Sequence, residues 1–82
     1  MDAFENRIIA VVADELGIPE AEVTPDSRFA EDYGLDAFDV AALALRLAEE
    51  TEVVLRADDI EAITSVRDLV DAVRELAEPQ TT

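Results

Sequence analysis

The sequence predicts an all-α fold: three main helices, one short helix before the last, and a long first loop. Three observations predict it. Half of the 82 residues are apolar, with only two glycines and three prolines, and the frequent alanine and leucine favour helix over sheet. Apolar residues recur at three- and four-residue spacing in three separate stretches. Each of those stretches is bounded by a capping or stopping residue. A chain this short makes one domain, expected to occupy residues 1–82 with an ordered core from about 3 to 77. It buries only roughly 60% of the surface its unfolded form exposes, so its core is small.

The first helix is expected from Ala3 to Leu16, with Phe4, Ile8, Val11 and Val12 at helical spacing. Asp2 and Glu5 stand in capping-box positions, Gly17 supplies a stop and Pro19 forbids continuation. Residues 17–36 read as a long connection, held down by Ile18, Val23, Phe29, Tyr33 and Leu35. The second helix is expected from Ala37 to about Glu50, with Asp36 at its N-cap and Asp39 three residues on. Val40, Leu43, Ala44 and Leu47 form one apolar seam on it, while Phe38, Ala41, Leu45 and Ala48 form a second beside it. One helix of a small bundle needs only one buried seam, so Phe38 and Leu45 are candidates for exposed contact residues. After Val53, Val54 and Leu55, a brief helical turn is expected over Ala57–Ile63. Ser65 and Asp68 open the last helix, whose buried face is expected to hold Val66, Leu69, Val70, Val73 and Leu76. Pro79 and the polar tail Gln80-Thr81-Thr82 follow it.

Charge narrows the function. Twenty-one acidic residues against six arginines and no lysine leave a formal charge of −15. Such a field repels nucleic acid and anionic lipid and favours basic protein partners. With no cysteine and no histidine, thiol nucleophiles, thiolate metal sites and the commonest general base are missing. The acids at 31, 32, 36 and 39 do not make a calcium loop, because Val40 stands where the glutamate six residues after Gly34 is required. Met1 to Arg7 lacks a basic leader pattern, and no apolar run approaches the roughly 20 residues of a membrane span. A soluble, cytoplasmic, non-catalytic monomer with no metal is the expectation.

The run Phe29-Ala-Glu-Asp32-Tyr-Gly34-Leu-Asp36-Ala37-Phe38-Asp39 resembles the acyl carrier protein pattern F-x-x-D-x-G-x-D-S. Asp58-Asp59-Ile60-Glu61-Ala62-Ile63-Thr64-Ser65-Val66 resembles the acidic third helix of that family and its I-T-[ST]-V lead into the last. The resemblance extends from the first helix to Leu76 and implies a carrier four-helix bundle. It also implies that position 37 is where a phosphopantetheinyl transferase would attach phosphopantetheine, whose thiol then holds acyl chains as thioesters during fatty-acid or polyketide synthesis. Asp36, by the same resemblance, helps place the metal-bound donor, besides acting as a plain N-cap. Phe38, Asp39, Leu45, Glu49 and Glu50 would meet partner enzymes of the ketosynthase and acyltransferase type. The acid at position 36 points to the acyl rather than the peptidyl branch.

The chain departs from the pattern at the attachment point, where Ala37 has no hydroxyl. Either a natural serine was replaced to obtain a homogeneous unmodified protein, or a natural carrier-like domain lost the site and acts as an interaction module without a prosthetic group. The otherwise whole motif favours the first. Ala42, Arg46 and Ala48 also stand where the family often has glutamates, and Thr51 where it often has an aromatic residue. These changes imply a partner surface with more apolar contact and less charge.

Overall fold

Ile8, Ile9, Val11, Val12 and Ala13 are all buried on helix α1, which runs Ala3–Leu16 in the computed structural model, where residues 3–77 are described. Gly17 ends α1 with φ +70, and the Ile18 N–H reaches back to the Ala13 carbonyl at 3.0 Å. A residue with a Cβ would be strained in that left-handed position. The expected Asp2 cap and the tail from Pro79 onward lie outside the described residues.

Residues 17–36 are not structureless. They contain a 3-10 turn at Glu20–Glu22 and a one-turn helix, α2 (Phe29–Tyr33). The Asp32 carboxylate accepts from the Arg28 N–H at 2.6 Å, and Gly34 closes the turn at φ +67. Phe29 is almost fully buried, and the Tyr33 hydroxyl donates to the Glu22 carbonyl at 3.0 Å, tying α2 to the 3-10 turn. Val23 is buried, while Ile18, Tyr33 and Leu35 are half-buried against the core, so all five apolar residues of the connection pack as expected.

Helix α3 (Ala37–Thr51) buries Val40, Leu43, Ala44 and Leu47. It ends at Thr51, one residue later than expected, and is followed by Glu52, whose φ of 62 makes it a non-glycine residue in the left-handed region. Val53 and Leu55 then turn inward and Val54 outward. Helix α4 (Ala57–Ala62) has no fully buried residue; Ile63, expected in it, lies just beyond it and is buried. Helix α5 (Val66–Ala77) opens on a reciprocal pair in which Asp68 N–H donates to Ser65 Oγ and Ser65 N–H to the Asp68 carboxylate, both at 3.2 Å. Val66, Leu69, Val70 and Val73 are buried as expected. Leu76 is not: it is about half exposed, next to the C-terminal residue of α5.

The helices α1, α3 and α5 enclose the core, with α1 against both others and α4 against α3. The long connection is stapled to the start of α5. Phe29 N–H donates to Thr64 O, Val66 N–H to Ser27 O and Arg67 N–H to Pro25 O, all at 2.9–3.0 Å. Two amides that a helix start leaves unpaired are thereby satisfied by the loop, and Arg28 and Ser65 form an isolated antiparallel bridge. The all-α bundle expected from the sequence is the fold observed, with α2 added to it.

Candidate functional site

The start of α3 is built by two aspartates. Asp36 adopts an extended backbone, and its carboxylate accepts from the Asp39 N–H at 3.0 Å. The Asp39 carboxylate returns the bond, accepting from the Asp36 N–H at 3.1 Å. Both carboxylates therefore sit at the positive end of the helix dipole. Ala37 follows as the first helical residue and is exposed, its methyl facing solvent beside a groove of about 490 Å³.

That groove is walled by α2, by Leu35 to Ala37, and by the α4–α5 junction. Phe29, Val40 and Ile63 give it an apolar floor; Arg28, Glu31, Asp36 and Glu61 stand around it. The sequence marks Phe29 and Leu35 as packing residues and places Ile60 and Ile63 in a brief helical turn. Phe29 at the start of α2 bonds the Thr64 carbonyl and so links elements some thirty residues apart, which leaves no periodic signal.

Phe38 and Leu45 are 85% and 70% exposed, so neither belongs to the core. Seven residues apart, they share one stripe of α3, with exposed Ala42 between them and Glu49 one turn after Leu45. Asp39 and Glu50 do not share it. They fall about 100° and 140° around the helix from Phe38 and Leu45 respectively, on the flank toward α1. On that flank Arg46 bonds Glu15 at 3.1 Å and Asp14 at 2.5 Å, and the Arg7 guanidinium donates to the Glu50 carbonyl. The bonds from Asp14 and Glu15 raise the Arg46 pKa above its ordinary value. The α3 arginine is thus turned away from the stripe, leaving Glu49 as its charge. Val54 is a further exposed apolar residue, 74% open, that sequence reasoning left in an undifferentiated apolar run.

Among the described residues no cluster of acids is arranged to hold a metal ion, and no helix is long and apolar enough to cross a membrane. An acid-capped helix start, an exposed first residue and an adjoining apolar groove thus stand together at the N-terminal end of α3. The family model described as a phosphopantetheine attachment site matches residues 6–73. The chain belongs to that family, whose domains carry phosphopantetheine and present what is bound to it to enzymes. A methyl at position 37 supplies no oxygen for a phosphoester, so this residue does not fit the group that the family carries.

Proposed function

We propose that the chain is an acyl carrier protein of fatty-acid or polyketide synthesis in a form that cannot be loaded, with Ala37 at the attachment position. The observation that carries this reading is the Asp36–Asp39 capping box holding an exposed residue 37 at the mouth of an apolar groove. A helix start is where unpaired N–H groups and the dipole favour a phosphate, and the acids beside it suit a metal-bound donor. The protein has no catalytic role of its own. Its partners are a phosphopantetheinyl transferase and ketosynthase- and acyltransferase-type enzymes, met in the cytoplasm by a monomer through Phe38, Leu45 and Glu49.

Ala37→Ser tests the reading directly. The serine form and the chain as it stands are incubated with coenzyme A, magnesium and a broad-specificity transferase, and intact masses are compared. A mass gain in the serine form alone supports the carrier. If the serine form stays unmodified with several transferases, the rival interaction module, a binder with no prosthetic group, replaces it. The exposed Phe38 and Leu45 serve that rival equally well.

A further inference from the structure

Between α3 and α4 the chain passes through residues 52–56, which the carrier reading leaves without a role. Val53 and Leu55 are buried and Val54, between them, is 74% exposed, the in-and-out alternation of a strand. Both ends of the segment are fixed. Glu52, held at φ 62, donates its N–H to the Ala48 carbonyl at 2.8 Å. Arg56, extended at φ −89 and ψ 164, donates its N–H to the Asp59 carboxylate at 3.0 Å. Between these ends, the N–H groups of Val54 and Leu55 and the carbonyls of Val53 and Val54 have no hydrogen-bond partner among the described residues. We infer that residues 52–56 are a short strand edge that receives an extended, basic segment of a partner protein by β-addition, with Val54 as the apolar contact. The inference goes beyond the carrier reading and does not depend on it.

Backbone N–H and C=O groups are strong, obligatory hydrogen-bonding groups. Added strands use such groups for affinity and alternate side chains for selectivity. The run Val53-Val54-Leu55 has the β-branched composition that suits a pleated pairing. It is already anchored through its two buried side chains, so an incoming segment does not have to order it. The shortness of the edge limits indiscriminate pairing and suits a contact that is made and released. Charge selects the occupant. Glu50, Glu52 and Asp58 are exposed around the edge against one cation, Arg56, in a chain of net charge −15. The complement is an extended segment with lysine or arginine beside small apolar residues. A second copy of this chain would bring the same acids to the same edge and be repelled.

The probe is an end-blocked octapeptide of alternating valine and lysine, titrated into the full chain by calorimetry and followed by amide hydrogen exchange in nuclear magnetic resonance. Binding is expected to slow exchange at Val54 and Leu55. The fully N-methylated peptide keeps the charge and side chains but has no N–H donors, and should bind weaker by about tenfold or more, the scale of two lost backbone hydrogen bonds. Glu52→Gln should weaken binding of the plain peptide by about threefold, and Glu20→Gln, an equal change of charge on the 3-10 turn, should not. Melting curves confirm that both variants remain folded. Equal affinity for the two peptides, or equal effects of the two variants, would show attraction to the general field and overturn the proposal. So would slowed exchange confined to other residues, or no binding at all. Self-association of the chain that protects the same two amides would give the edge to a second copy and overturn the basic partner. None of these outcomes bears on transfer to Ala37→Ser, so the carrier reading stands or falls separately.

Discussion

Phe29→Ala is the perturbation that most directly tests how the long connection is built. Phe29 is 1% exposed, carries the short helix α2, and meets Tyr33 with ring centroids 6.4 Å apart. Its N–H holds the Thr64 carbonyl, and its carbonyl accepts from the Leu35 N–H at 2.9 Å. Truncating a buried phenylalanine costs about 3–5 kcal/mol, as lost transfer energy plus the cavity left behind. An 82-residue domain has in total about 4–12 kcal/mol at the usual stability per residue. The substitution should therefore remove about a quarter or more of the stability and lower the melting temperature by upwards of about 12 °C, at roughly 4–8 °C per kcal/mol. Urea unfolding followed by far-ultraviolet circular dichroism measures it. A loss below about 1 kcal/mol, the scale of an ordinary surface change, would mean that the connection is not packed through α2 and that the groove beside residue 37 lacks its wall.

Two further outcomes are expected. Leu43→Ala should cost about 2–5 kcal/mol and Leu45→Ala less than about 0.5 kcal/mol, since the first is fully buried and the second 70% exposed on the same helix; comparable losses in paired denaturation curves would contradict the orientation of α3. Asp68 has its pKa lowered by the Thr64 hydroxyl, the Thr64 N–H and then the Ser65 N–H. A depressed carboxylate stabilises the fold fully above its ordinary value of 3.8 and loses that contribution as pH falls through the lowered value. Asp68→Asn should thus be destabilised at neutral pH, and its gap from the parent should close on acidification below about pH 4; a gap that stays constant in melts across pH would refute the linkage.

The parts of this fold that were legible are those whose cause is local. The bounds of α1 follow from its apolar spacing and Gly17, and the starts of α3 and α5 from Asp36–Asp39 and Ser65–Asp68, pairs that bond across three residues. That residue 37 is the first of α3 was legible in the same way, because the acids that define the helix start adjoin it. Helix α2 was not. One turn gives too few residues for a period, and what stabilises it is Phe29 meeting the core and Thr64, far along the chain. Arg46 was equally opaque: its departure from the family pattern could be seen, but its pairing with Asp14 and Glu15 spans more than thirty residues. Leu76 matched the period of α5 and still lies half in solvent, since periodicity gives direction and not the extent of the surface opposite.

The two arginine clasps between α1 and α3 have a mechanical consequence. Arg7 holds the carbonyl end of α3 at Glu50, and Arg46 holds the end of α1 at Asp14 and Glu15. Both clasps fall on the last two turns of α3, so that with the shared core they fix that end of α3 to α1. Helix α4 has no such fastening and no fully buried residue. A force applied to that end of α3 is therefore shared with α1. The wall that α4 contributes to the groove is held instead by half-buried Ile60 and by its packing on α3. The C-terminal end of α3 and the wall of the groove beside residue 37 thus depend on different contacts, and a substitution at Arg46 should leave the groove in place where one at Ile60 would not.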